Sequence, residues 1–227
     1  LHSAIYPRLV SVRDNKDALR QIILFTTLAQ AVFVFPPIAA IAGASDAFFT
    51  LLLSERWRAS GEIFTLLAGT AALQTVVAIN GSLLQAVGQT GARLRLTVEY
   101  AALWTVSALI AAQFSIEAVA LGCTLVTAIY MPRLLQLYLK PIDLPVMEFL
   151  RVLAAPTIVS LAIFSLHRAL ITTFEIGLWA QIGLAILETF VGYALLVGFG
   201  RRDMMSRLRN VRAILSPPKP PDAIAAK

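Results

Sequence analysis

The side chains in this sequence that could do chemistry are few, and most of them lie inside long apolar runs. Glu188 is the sharpest case. It sits near the middle of Ile176 to Phe199, a stretch with no other charged residue. An ionised carboxylate at that depth of a bilayer costs a few kcal/mol even on the gentler insertion scale, so it must be protonated or paired inside protein. Two readings follow: a proton- or cation-coupling site, or a neutral acid hydrogen-bonded to a neighbouring helix. A second set is Thr70, Gln74, Ala78, Gly81 and Gln85, with Asn80 beside it. Helical spacing gathers those five within about 80° of one face. Such a small and polar stripe serves either as a cavity wall that offers hydrogen bonds or as a close helix contact glued by amides. The third set is Arg93, Arg95 and Glu99. Arg95 and Glu99 are one helical turn apart and suit an interfacial ion pair worth a few tenths of a kcal/mol, while the two arginines also suit an anionic group.

Other chemistries lack their residues. The chain has one cysteine, Cys123, and two histidines, His2 and His167. Neither a disulfide framework nor a Cys- or His-based metal centre follows from that inventory. The loops contain no Asp-rich or His-bearing constellation of the kind a membrane enzyme needs. No enzyme activity, metal or cofactor is therefore expected.

The elements that position these residues are set by composition. Of 227 residues, 58% are hydrophobic and 14% charged, which excludes an ordinary soluble domain. Six runs are long and apolar enough to span a bilayer: 22–43, 63–87, 96–112, 119–139, 146–166 and 176–199. None alternates with period two, so the expected fold class is all-α, a polytopic bundle of six transmembrane helices rather than a β-barrel. Charge tests that count. Of the 19 Lys and Arg residues, only Arg56, Arg58 and Arg168 fall on one side of the six-span layout, and all the others fall on the side that holds both ends. By the positive-inside tendency that side is cytoplasmic, with Arg133 and Arg151 snorkelling to it. Residues 1–21 then form a cytoplasmic connection, and 46–57 an interfacial helix on the outer side with Trp57 at headgroup depth. Residues 201–227 form a basic and then disordered cytoplasmic tail. Its arginines are accounted for by topology and anionic lipid, with no need of nucleic acid.

Three stretches carry a family likeness. The first is Tyr6-Pro7-Arg8-Leu9 followed by Asp14 and Leu19-Arg20. The second is Phe35-Pro36, then Leu51 to Ala59 containing Ser54 and Trp57, then Leu66-Leu67-Ala68. The third is Asn80-Gly81-Ser82-Leu83-Leu84-Gln85-Ala86-Val87-Gly88-Gln89-Thr90. In order and spacing they resemble the O-antigen and exopolysaccharide flippases, the polysaccharide biosynthesis protein family of the MATE-like MOP superfamily. Ser54 stands where that family usually has glycine, and Gln89 where arginine is frequent. From Glu117 onward the likeness is a pattern of helices only. The resemblance implies a MATE-like architecture in which two six-helix lobes face each other. This chain then supplies four helices of the second lobe plus two extra ones, its partner being a missing N-terminal half of the same protein.

The implied function is export of a polyprenyl-diphosphate-linked oligosaccharide across the bacterial inner membrane by alternating access, with this stretch alone inactive. In that reading Gln74, Asn80 and Gln85 meet sugar hydroxyls, Arg93 and Arg95 meet the pyrophosphate, and Glu188 is the ion-coupling candidate. Alternatives are a multidrug-type exporter of the same fold carrying a small organic cation, a membrane enzyme of sugar-lipid assembly, and a structural remnant. Bulk membrane lipids are expected partners in every case.

Overall fold

A computed structural model describes residues 2–215, with the side chains of 2–5, 78–80, 199, 201–203, 212 and 215 left aside. Among these residues there is no strand; the order is α1 (His2–Ser11), α2 (Lys16–Gly43), α3 (Ser45–Leu53), α4 (Arg58–Ala86), α5 (Thr90–Ala111), α6 (Ile116–Leu139), α7 (Val146–Thr173) and α8 (Leu178–Leu215). Short 3₁₀ turns at Glu55–Trp57 and Lys140–Ile142 precede α4 and follow α6. Six of the helices are long and apolar enough to cross a membrane, and the chain is an all-α, multi-pass membrane protein.

Local chemistry accounts for the helix ends. The Asn15 side chain accepts the Ala18 N–H at 3.0 Å to start α2, and the Ser115 hydroxyl accepts the Ala118 N–H at 3.1 Å to start α6. Asp17, Glu117 and Glu148 sit in the first turns of α2, α6 and α7, where the helix dipole favours negative charge. Gly88, at φ 78°, closes α4; the Gln89 N–H reaches back to the Leu84 carbonyl at 2.7 Å.

The helices outrun the apolar spans. The hydropathic boundaries 22–43 and 96–112 become helices that begin at Lys16 and Thr90, and α7 continues past residue 166 to Thr173. Hydropathy marks only the stretch that lipid must cover, whereas a helix continues until its capping or breaking residue. The largest departure is in the basic tail. Residues 201–215, the basic part of the expected tail, extend α8, because no breaker occurs before Pro217. Residues 2–21 hold α1, in keeping with a helix end ahead of a charged connection, and the first turns of α2. Residues 216–227, expected to be disordered, lie outside the described residues. Pro36, Pro37, Pro132 and Pro156 all fall inside uninterrupted helices. The interfacial stretch 46–57 divides at Ser54 into α3 and a 3₁₀ turn.

α2 is the centre of the bundle, packed on α4, α7 and α8, while α5 lies at the edge against α6. Six crossings bring Lys16 and the far end of α8 back to one face, here termed the basic face. The main core lies toward it: Leu19, Ile23, Leu83, Leu139, Ile142 and Phe149 are buried together. The core at the opposite end is made of smaller residues, Ala40, Ala44 and Ala185 with Ile163. Close approach there needs glycine, since a Cβ on Gly61 would stand 2.9 Å from the Ser45 backbone carbon.

Two ion pairs hold the connection between α6 and α7 against the start of α2. Lys16 Nζ donates to Asp143 Oδ2 at 2.6 Å, and an Arg20 guanidinium N–H donates to the Asp143 carbonyl at 2.9 Å. Arg20 also lies 3.8 Å from Glu148. The Lys16 hydrogen bond and charge hold the Asp143 carboxyl below its ordinary range. Its contribution to stability is therefore present above the ordinary aspartate value of about 3.9 and lost as the pH falls through and below it. Asp143 itself adopts the left-handed conformation (φ 51°), which Asn tolerates equally. Asp143→Asn is expected to flatten the acid limb of the stability-versus-pH curve without unfolding the protein, as read from thermal unfolding in detergent over acidic buffers. Ser54 has φ 95° and ψ 165°, a region natural to glycine and strained for serine. Ser54→Gly is expected to stabilise the protein by about 1 kcal/mol in the same assay.

Candidate functional site

The most unusual feature inside the bundle joins α7 to α8. His167 Nδ1 and Glu188 Oε2 lie 2.8 Å apart; the histidine is completely buried and the glutamate nearly so. His167 stands in the last turns of α7, beneath the end of α2, where a Cβ on Gly43 would come within 2.9 Å of the His167 Cβ. Only glycine at the end of α2 leaves room for the imidazole. The pair is thus enclosed by α2, α7 and α8 in the half of the bundle away from the basic face. Within it, His167 Nε2 and Glu188 Oε1 have no hydrogen-bond partner. One oxygen and one nitrogen face each other, and one of each is left over as a polar atom for a further ligand or water.

The histidine was passed over in the sequence because it follows a span drawn to end at residue 166. A signal was nevertheless present. Phe149, Leu153, Pro156, Ser160, Ile163 and His167 are the buried residues of α7, spaced alternately four and three apart. His167 continues the core-facing stripe by one more step, so its side chain had to turn inward.

The polar stripe of α4 faces α5 and α6. Thr70 donates to the Thr124 hydroxyl at 2.8 Å, and Thr124 donates on to the Leu66 carbonyl at 2.8 Å. The Gln74 amide donates to the Tyr100 hydroxyl at 3.2 Å, and that hydroxyl is 2.8 Å from the Thr127 hydroxyl. Gln74 remains exposed on the surface of the chain, and Gln85 is half-buried. Gly81 lies under Arg93, where a Cβ would come 3.3 Å from the guanidinium Nε. The Asn80 side chain is outside the described residues.

Toward the basic face this network becomes ionic. Glu99 accepts from Arg95 at 2.8 Å, from the Tyr130 hydroxyl at 2.8 Å and from Arg133 at 3.1 Å. Tyr130 stacks on Tyr100, with ring centroids 5.8 Å apart. The pairing of Arg95 and Glu99 predicted from spacing is therefore present, and the structure adds Tyr130 and Arg133 from α6. Arg93 and Arg95 do not converge on one site: Arg93 lies over Gly81, while Arg95 opens onto a separate cleft of about 720 Å³. The structure does not bring Glu188 near any of these groups, since it lies on α8 beside His167. Among the described residues, no three His, Cys, Asp or Glu side chains are placed to hold a metal ion.

No family model matches this chain, and neither a curated protein nor a solved structure is detectably similar to it.

The buried pair makes a stability prediction that separates its two atoms' roles. Glu188→Ala leaves the buried His167 Nδ1 without its partner and is expected to cost about 1–3 kcal/mol. Glu188→Gln keeps an acceptor oxygen at the same place and is expected to cost clearly less. Thermal unfolding of both variants in one detergent decides it: equal losses would show that the hydrogen bond contributes nothing.

Proposed function

We propose that this chain is part of a lipid-linked oligosaccharide flippase, working by alternating access between two lobes, with the basic face in the cytoplasm of a bacterial cell and the helices in its inner membrane. The observation that carries the reading is the uncovered face of α4 and α5. Gln74 is near the middle of α4 and exposed, and on α5 the residues Thr97, Ala101 and Thr105, each one turn from the last, are exposed as well. Placing an amide against lipid is costly, and small residues against lipid gain little. This face is suited to another part of a protein or to a water-filled cavity. Arg93 stands one turn before Thr97 and puts a guanidinium at the basic end of the same stripe. A cationic end followed by hydroxyls and an amide matches a cargo with an anionic phosphate head and hydroxyl-bearing sugars.

Three further features support it. Ser54, aligned by the motif resemblance with a usual glycine, has the positive φ that a glycine there would be needed for. An apolar cleft of about 350 Å³ between α2, α4 and α7, lined by Phe35, Ile38, Leu73 and Phe164, offers space for part of a polyprenyl chain. The Glu188 and His167 pair supplies a titratable element inside the membrane, and in this reading it couples proton movement to the motion of α7 and α8 against α2. The arginine at the end of the stripe favours this cargo over a small organic cation, which it would repel.

The test uses the protein in its native reading frame, reconstituted in vesicles with a fluorescent polyprenyl-diphosphate-linked oligosaccharide on one leaflet. Cargo-dependent flipping is expected. Arg93→Gln is expected to slow it about tenfold or more at unchanged protein amount, as loss of a hydrogen bond to a charged group implies, and Gln74→Leu, which loses a neutral hydrogen bond, to slow it less. Glu188→Gln is expected to abolish its response to an imposed pH gradient. Flipping no faster than in empty vesicles overturns the proposal, and flipping that ignores Glu188→Gln removes the coupling role alone.

A further inference from the structure

The cleft beside Arg95 lies apart from the stripe that begins at Arg93, and it is built differently. Its walls come from three places in the sequence: Lys16 at the start of α2, the first turn of α5 with Gln89, and the end of α6 with Arg133 and Lys140. Lys16, Arg95, Arg133 and Lys140 are all cationic. The carboxylates that meet them are Asp143, bonded to Lys16, and Glu99, bonded to both arginines. Four cations against two carboxylates leave an excess of two positive charges. Lys140 is exposed and has no acidic partner among the described residues.

The arginines are held ready rather than loose. Glu99 takes one hydrogen bond from each and a third from Tyr130, so both guanidiniums are fixed at one edge, while their side chains stay 75% and 55% exposed. The first turn of α5 adds to the same field. No side chain caps that helix, Gly91 and Ala92 line the cleft, and the free N–H groups of an uncapped first turn favour an anion. The positive-inside tendency explains why these residues are on this face. It does not explain why three elements place them around one opening with their charge left unbalanced.

We infer that this cleft binds the phosphate headgroup of an anionic phospholipid of the surrounding bilayer. The class of ligand is a phosphate ester, and two features point to a lipid as its source. The cleft sits where α5 begins and α6 ends, at the level where headgroups lie. Its walls also include Leu96 and Leu137, and α5 continues into the membrane with Leu94 and Val98 exposed, a path for acyl chains below the phosphate. At about 720 Å³ the space is many times that of one water, about 30 Å³, and accommodates a glycerophosphate. The bound lipid ties the start of α2 to α5 and α6, adding to the ion pairs of Glu99 and Asp143 in this region.

The test is independent of transport. The protein in its native reading frame is prepared in phosphatidylcholine nanodiscs, with and without phosphatidylglycerol, and retained lipids are counted by native mass spectrometry alongside thermal unfolding. A third arm adds inorganic phosphate to the phosphatidylcholine sample. Retained phosphatidylglycerol and a higher unfolding temperature are expected in the doped discs only. Lys140→Gln, which breaks no ion pair, is expected to lower retention about tenfold, and Lys140→Arg to preserve it. Equal retention by Lys140→Gln would reduce the effect to bulk surface attraction and overturn the inference. So would no retention at all, or stabilisation by inorganic phosphate without retention of phosphatidylglycerol.

Discussion

Much of this chain follows from one constraint: a polar group that enters lipid is costly unless it meets a partner inside the protein. The backbone satisfies it by being helical. Several side-chain hydroxyls satisfy it by turning back on their own helix, whereas those of Thr27 and Ser160 are buried without a partner. Thr26 donates to the Ile22 carbonyl, Thr75 to that of Ala71 and Thr189 to that of Ala185, each at 2.7 to 2.8 Å. Groups too long or too charged for that device are met from a neighbouring helix. This is why Tyr193 donates across to the Phe33 carbonyl at 3.0 Å and why Glu188 meets His167. Each such bond stabilises modestly, but leaving either group alone would cost more than the bond itself contributes.

The same constraint explains which helices pack closely. Polar pairs need short interhelical distances, and those need small residues. The α7–α8 contact that carries the buried pair has Gly192 facing Ile163, with space for a Cβ only if the isoleucine Cδ1 moved from 2.7 Å. On the other side, Gly43 makes room for His167. Between α5 and α6, Gly122 lies beside Ser107, whose hydroxyl would be 2.8 Å from an added Cβ. Glycine, hydroxyl and buried acid thus occur together because each makes the others affordable in a membrane.

This logic also decides how much was legible in the sequence. The six spans and the helical class were readable from run length, because lipid requires an unbroken apolar stretch. The Arg95 and Glu99 pair was readable because both partners lie on one helix at a fixed spacing. What was not legible was every contact between helices. Glu188 announced that it needed a partner without naming it, and Tyr130 and Arg133 are as ordinary at a membrane surface as any aromatic or basic residue. His167 was within reach, since the alternate spacing of α7 from Phe149 onward ran straight to it. A hydropathy boundary at residue 166 stopped the pattern one residue short. The helical extension of α8 through residues 201–215 could not be read from hydropathy, which marks where the lipid ends and not where the helix does.

The two ends of the bundle are consequently built on different principles. Near the basic face, parting the helices would separate Leu19, Leu83, Leu139 and Phe149, large side chains whose van der Waals packing is a main attraction between helices in lipid. Away from it, parting α7 and α8 from α2 would separate Ala40, Ala44 and Ala185, small side chains with one larger one, Ile163, among them, together with the histidine and glutamate. The apolar contribution holding that end closed is therefore smaller, and a larger share of its cohesion rests on one hydrogen bond between two titratable groups. Glu188 and His167 are thus set opposite the main core rather than within it, at the end where Gly43 and Gly192 let α2, α7 and α8 approach closely enough for the pair to meet.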